Sequence, residues 1–261
     1  MRGRVGGLVL AAGAGRRFGG PKALAELDGV RLVDRAAAVL AAGGADPVVV
    51  VLGAAVVEVP GADEVVVNQD WESGMASSLK AGLGSAALAG CTAVVVTLVD
   101  TPGLRASAVR RLADAHAAGA DLAVATYDGR RGHPVLLGRV HWEQIAEQTS
   151  GDSGARGYLA DHSDLVVEVP CEGDPRDADT PAELAGRGIL SRIAADVGSA
   201  GAPMGAGLDE LSGLLGGSGA RARVDEKAAE VVRRDSEQSG QPPLMSVDLD
   251  AGVAHFRPRQ G

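Results

Sequence analysis

What most constrains this chain is the stretch from Leu8 to Leu24, where an apolar run empties into a loop dense in glycine and positive charge. Leu8, Val9 and Leu10 read as a strand of a buried parallel sheet, since successive aliphatics leave no polar face. The loop carries Gly13, Gly15, Gly19 and Gly20, with Arg16, Arg17 and Lys22 set among them. Glycine has no Cβ, so backbone N–H groups can approach a ligand closely. Consecutive N–H groups make an anion-binding hollow, and guanidinium and ammonium groups add full positive charges. A plain surface turn would account for the glycines but not for three basic residues. The loop is built to hold phosphates.

Two familiar phosphate motifs do not fit. The dinucleotide fingerprint needs G-x-G-x-x-G, and here Arg16, Arg17 and Phe18 separate Gly15 from the next glycine. The P-loop needs Gly-Lys-Ser/Thr, whereas Pro21 precedes Lys22 and Ala23 follows it.

Beyond the loop, strand and helix patterns alternate, which predicts an α/β fold: a Rossmann-like, mostly parallel sheet with helices on both faces. Val33 to Ala42 predicts a helix ended by Gly43-Gly44. Val48 to Leu52 and Glu64 to Val67 predict strands, with too little chain between them for a full helical crossover. Gly74 to Leu88 predicts a helix, Ala93 to Val99 a buried strand, and Arg105 to Ala118 an amphipathic helix. A strand at Leu122 to Thr126, a short one at Val135 to Leu137, a helix at Val140 to Gln148 and a strand at Leu165 to Val169 follow. Pro181 then opens a helix behind the hydroxyl of Thr180. The expected organisation is a folded domain over residues 1–199 and a weakly structured, glycine-rich and charged extension over residues 200–261, with a strand between Ser246 and Phe256.

The 261 residues are 46% hydrophobic but only 2% aromatic, so the core must be built from Val, Leu and Ala. A formal charge of −9 argues against a nucleic-acid or membrane-surface partner, while leaving room for a local basic pocket. Cys91 and Cys171 suit neither a disulfide framework nor a zinc site, and the apolar run near the N-terminus is broken by glycines and Arg16-Arg17. The expected compartment is the cytoplasm.

Asp100 directly follows the run Ala93 to Val99, which places it at the carboxyl end of a central strand, the edge where open α/β sheets bind ligands. Asp-Thr-Pro also makes an ordinary turn. Beside a triphosphate loop the carboxylate gains a second meaning, because magnesium takes carboxylate and phosphate oxygens together. Asp177-Ala178-Asp179-Thr180-Pro181 offers another carboxylate, or else only a helix cap. Ser77 and Ser78 open a helix, whose free N–H groups can meet a base edge or phosphate; they are otherwise plain first-turn residues. Gly129-Arg130-Arg131-Gly132-His133-Pro134 reads as a loop and a second anion site, or as a solvated arginine pair.

The run Leu-Ala-Ala-Gly-x-Gly-x-Arg-x-Gly-x-Pro-Lys resembles the signature of nucleotidyltransferases of the molybdopterin-cofactor and sugar-nucleotide kind. Leu98 to Gly103 is similar to the family's aspartate-x-proline metal motif, and Asp177-x-Asp179-Thr180-Pro181 to its C-terminal D-x-D-T-P element. Gly-His-Pro-Val with Gly-Asp-x-Gly-Ala-Arg is similar to molybdenum cofactor cytidylyltransferases in particular. Ala11-Ala12-Gly13 and Pro21-Lys22 point the same way, since the guanylyltransferases usually show Leu-Ala-Gly-Gly and an Asp before the Lys. The resemblance spans roughly Val5 to Gly188; the short segment between Gly53 and Asp63 and the tail beyond Ala200 depart from it.

That resemblance implies a nucleotide-diphospho-sugar transferase-like fold and transfer of CMP from CTP to molybdopterin cofactor, with Mg2+ on Asp100 and Asp179. Arg16, Lys22 and Asp100 are then the catalytic candidates. Leu10, Ala11, Ala12, Gly13, Gly15, Arg16, Lys22, Asn68, Ser77 and Ser78 would contact the nucleotide, and Arg131, His133, Asp152 and Arg156 the acceptor. Two other readings stay open. One is transfer to a sugar phosphate or another phosphorylated metabolite. The other is a non-catalytic protein that delivers the cofactor to a molybdoenzyme.

Overall fold

The computed structural model describes residues 3–187 together with the strands at 245–248 and 253–256. The chain divides into two compact units, residues 1–188 and 189–261. In the second, β10 (Met245–Asp248) and β11 (Val253–Phe256) pair antiparallel, so the single strand expected there is a hairpin. The weak structure expected for the rest of that segment lies outside the described residues.

The first unit is a seven-stranded sheet, ordered β5-β4-β1-β6-β8-β7-β9. Its strands are β1 (Val5–Leu10), β4 (Val48–Leu52), β5 (Glu64–Val67), β6 (Ala93–Leu98), β7 (Leu122–Tyr127), β8 (Arg130–Gly138) and β9 (Val166–Pro170). β8 runs antiparallel to both neighbours, and the other pairings are parallel. A small hairpin, β2 (Glu26–Leu27) with β3 (Val30–Arg31), follows the glycine loop.

The central strands are aliphatic throughout because both sheet faces are covered. Side chains of a strand alternate between faces. Val9, Val48, Val50, Leu52, Val95 and Leu136 therefore pack under α1 (Leu32–Ala42) and α3 (Ala106–Ala117). Leu8, Leu10, Val49, Val51, Val94, Val96 and Leu137 pack under α2 (Met75–Leu83), α4 (Trp142–Gln148) and α5 (Arg156–Asp161). β1 is closely covered on both faces: a Cβ on Gly7 would meet Leu40 Cδ1 at 3.0 Å, and on the other face one on Gly82 would meet Leu8 Cδ1 at 2.5 Å.

Three expectations need correction. The helix from Gly74 to Leu88 stops at Leu83; Gly84 turns the chain, and a 3-10 segment at Ala86–Gly90 begins under Ser85, with Glu64 Oε2 accepting from Ser85 Oγ and Ala87 N–H. Arg130 to Pro134 is not a loop but the first half of β8, joined to β7 by Asp128-Gly129, both at positive φ (50° and 75°). That dipeptide suits the tight hairpin turn. Helix α5 was not anticipated. Between β4 and β5 no helix forms; Asp63 instead ties the crossover down, accepting from Val48 N–H at 2.7 Å.

Leu40 is fully buried between α1 and the sheet, and the Gly7 backbone beneath it has no side chain to fill a void. Leu40→Ala is therefore expected to cost about 2–5 kcal/mol of unfolding free energy, read as a lowered urea midpoint with an unchanged slope.

Candidate active site

The loop after β1 is rooted in its neighbours: Ala11 N–H donates to Val51 O, and Ala54 N–H to Ala12 O, both at 2.9 Å. Gly15, at φ +60°, then turns the chain back, and its carbonyl accepts from Phe18, Gly19 and Gly20 N–H at 2.9, 2.9 and 3.2 Å. A Cβ there would sit 1.9 Å from Gly20 O, so only glycine fits. The reversal returns Lys22 to the sheet edge. Among the described residues, the N–H groups of Gly13 through Arg17 donate to no protein acceptor, which leaves a run of donors for an anion.

β6 delivers Asp100 to the same edge. Thr101 Oγ1 donates to Leu98 O at 2.8 Å, and this turn fixes the aspartate between them. The Asp100 carbonyl accepts from Ala178 N–H at 2.8 Å, and Ala178 is fully buried. Residues two apart in extended chain share a side. Asp177 and Asp179 accordingly flank the anchored alanine, and one carboxylate oxygen from each of Asp100, Asp177 and Asp179 lies within 4.8 Å of the others. Helix capping does not use these groups. Thr180 caps the helix over residues 181–187, with Glu183 Oε2 accepting from Asp179 and Thr180 N–H at 2.8 and 3.1 Å.

Lys22 Nζ sits between two of the three, donating to Asp100 Oδ2 at 2.9 Å and Asp179 Oδ1 at 2.8 Å. Burial pulls its pKa down, but the hydrogen bonds and charges of Asp179 and Asp100 outweigh that and hold it above the usual lysine value. The same hydrogen bond, with the charges of Lys22 and Arg17, holds Asp179 below the usual carboxylate range. Asp100 Oδ1 is shielded from solvent and has no partner among the described residues. An all-carboxylate set with one unused buried oxygen suits a hard divalent cation. The residues present fit such an ion.

A cavity of about 240 Å³ opens beside this cluster and holds all four residues expected to meet an acceptor: Arg131, His133, Asp152 and Arg156. Leu10, Met75, Leu79 and Leu98 are among its apolar walls. The β7–β8 register explains His133. Gly132 pairs with Ala125 and Val135 with Val124, so His133 and Pro134 bulge out of the ladder, where proline has no N–H to lose. Burial lowers the imidazole's pKa, against the opposing pulls of the Val96 backbone and of Asp100, and Nδ1 has no partner among the described residues. Arg131 is already paired, with Glu168 Oε1 at 2.7 Å. On the other flank Asn68 Nδ2 donates to Ser77 Oγ and Ser78 Oγ at 2.8 and 3.0 Å, bracing the start of α2.

Two residues were missed by sequence reasoning. Asp177 was passed over for Asp179, although the i, i+2 spacing could have flagged both. Arg17, not Arg16, reaches a carboxylate, with Nη1 at 3.3 Å from Asp179 Oδ2; nothing in the sequence separates the two arginines. Arg16 is exposed and has no hydrogen bond or ion pair among the described residues.

Because Asp179 binds its proton less readily folded than unfolded, acidification favours unfolding. Its contribution is complete above the ordinary value of 3.8 and is lost as pH falls through the folded value. Melting temperatures between about pH 2 and about pH 6 should fall less steeply for Asp179→Asn than for the wild type.

Residues 7–166 match the MobA-like NTP transferase domain family. Over 194 residues the chain is 40% identical to the nicotine blue oxidoreductase of Paenarthrobacter nicotinovorans, covering 69% of this chain and 94% of that protein. It is 39% identical over 121 residues to the molybdenum cofactor guanylyltransferase of Rhodobacter capsulatus, covering 43% of this chain and 59% of that one. Among solved structures, Rv0371c of Mycobacterium tuberculosis H37Rv in complex with manganese superposes with a TM-score of 0.59 at 26% identity, over 69% of this chain and 95% of that one. A nucleotidyl transferase from Methanothermobacter thermautotroptrophicus shares the fold, with a TM-score of 0.60 at 21% identity over 72% of this chain and 99% of that one. Among the described residues no helix is long and apolar enough to cross a membrane. With its glycine-rich basic loop, its carboxylate cluster and a family match over more than half its length, the chain belongs to the MobA-like NTP transferase family.

Proposed function

We infer that this protein transfers CMP from CTP to the terminal phosphate of molybdopterin cofactor and releases pyrophosphate. The observation that carries the reading is the meeting of Lys22 Nζ with Asp100 and Asp179, at 2.9 and 2.8 Å, beside the unpartnered amides of Gly13 to Arg17. An acceptor phosphate oxygen forms the new bond to the α-phosphorus as the bond from that phosphorus to the bridging oxygen of pyrophosphate breaks. No protein nucleophile is required, so the chain acts by alignment and charge neutralisation.

In this reading Lys22 and Arg16 hold the β- and γ-phosphates, and the stretch Leu10 to Gly15 lines the nucleotide. Asn68, Ser77 and Ser78 shape its sugar and base side. Arg131, His133, Asp152 and Arg156 receive the acceptor, with Arg156 offering the cavity guanidinium that has no ion pair among the described residues. Asp100 and Asp179, joined by Asp177, would hold Mg2+, which when bound neutralises charge on phosphate oxygens. The domain would comprise residues 1–199, with residues 200–261 available to a partner such as a molybdoenzyme.

CTP is favoured by Ala12 and by Pro21 before Lys22. The guanylyltransferase relative favours GTP. A panel of nucleoside triphosphates with molybdopterin cofactor and with sugar phosphates, followed by pyrophosphate release, is expected to give turnover with CTP and the cofactor. Turnover only with GTP would reverse the base assignment, and turnover only with sugar phosphates would reverse the acceptor.

A second reading rests on the oxidoreductase relative, which aligns over nearly its whole length. Reduction of nicotine blue by added nicotinamide cofactor, without pyrophosphate release from any triphosphate, would establish it in place of the first. Asp100→Asn keeps the shape of the side chain and removes its charge. Turnover should fall about 10²–10³-fold, and near-normal turnover would remove Asp100 from the scheme.

A further inference from the structure

Two of the three carboxylates that suit a divalent cation are held by an internal cation. Lys22 Nζ bonds Asp100 and Asp179 together, and its side chain is only 13% exposed. Arg17 reaches the other oxygen of Asp179, but at 83% exposure that contact is screened by water and weak. Lys22 is therefore the tie that matters. Carboxylates within 4.8 Å of one another repel unless a positive charge stands among them. A free metal ion could enter only by displacing the ammonium, which would lose two charge-assisted hydrogen bonds in a mostly enclosed place. A triphosphate changes that balance, because its oxygens give the released ammonium new acceptors beside the amides of Gly13 to Arg17.

We propose that Lys22 is an exchangeable latch that makes the site selective for a divalent metal–triphosphate chelate over either component alone. The inference rests on the nucleotidyl-transfer reading for its second ligand. In the nucleotide-free chain the ammonium occupies the carboxylates. When the chelate arrives, the ammonium moves to phosphate and the carboxylates turn to the metal. Metal and nucleotide then strengthen each other's binding by the same factor, since coupling between two ligands is reciprocal.

The test is calorimetric titration of the full chain with Mn2+, alone and with α,β-methylene CTP or α,β-methylene GTP, so that no turnover is needed. In the wild type the analogue should tighten Mn2+ binding about tenfold or more. Lys22→Met should bind Mn2+ without nucleotide about tenfold more tightly than the wild type does, and lose most of the coupling. Lys22→Arg keeps the charge and should retain the weak nucleotide-free affinity.

Equal nucleotide-free affinities in Lys22→Met and wild type would overturn the latch, as would a Lys22→Arg protein that binds as tightly as Lys22→Met. If Lys22→Met folds only when Mn2+ is added, seen as recovery of a cooperative melt, the latch is supported. A variant that stays unfolded with Mn2+ overturns it. Should neither analogue bind the wild type, nucleotidyl transfer fails as a reading, while the nucleotide-free comparison still decides the latch.

Discussion

One ammonium group set against three carboxylates is the constraint on which this site's architecture turns. Residues 22, 100 and 177–179 are far apart in the chain, and the sheet order brings them together. β1 and β6 are neighbours, so the loop leaving one and the turn leaving the other emerge side by side at the same edge. The third segment is tied in by backbone bonds from Ala178 N–H to the Asp100 carbonyl and from Asp174 N–H to the Gly103 carbonyl. Ala178 is buried and the residues flanking it are acidic, so the apolar contact fixes where the charges must go. Loss of the Lys22 charge would leave those carboxylates in mutual repulsion at short range. Fold and site are thus coupled through electrostatics as well as through packing.

Much of this was legible along the chain because the physics is local. The β-branched runs name the central strands, and the glycines after Leu10 name the loop. What was not legible depends on pairing. Arg130 to Pro134 is polar and contains a proline, so in isolation it has the composition of a loop. Its strand character comes from the ladder to β7, and the ladder survives only by bulging at His133-Pro134. The Asp128-Gly129 turn was nevertheless readable as a hairpin signal, as was Asp28-Gly29 between β2 and β3, where φ is again positive at both residues. The choice between Arg16 and Arg17 could not be read from the sequence, because both are exposed neighbours on a loop whose direction Gly15 sets.

The hydrogen bonds of Asn68 qualify a residue-by-residue reading of the site. Its amide nitrogen donates to both serines, and its oxygen accepts from Asp70 N–H at 2.9 Å. A buried amide so committed is a brace first, because leaving Ser78 Oγ without its donor would cost a buried hydrogen bond. In the proposed function these three residues act on a nucleotide chiefly by holding the start of α2 in place.

β8 has a consequence for how the site divides. The carboxyl ends of the parallel strands lie at the active edge, and an antiparallel neighbour brings its amino half to that edge instead. β8 therefore presents Arg131 and His133 where β1 and β6 present Lys22 and Asp100. The bulge displaces His133 from the ladder toward the cavity shared with Asp152 and Arg156, which come from a separate stretch of chain. The loops after β1 and β6 thus carry the charge cluster, while β8, the segment before α5 and α5 itself supply the polar groups of the neighbouring cavity, whose apolar walls include Leu10 and Leu98. A substitution at Arg131, Asp152 or Arg156 can alter the cavity without touching Lys22 or the carboxylates, because β8 and β6 meet in the core through Val94, Val95 and Val96 rather than through the charged groups. In the proposed function, that separation would let one charge arrangement serve different acceptors.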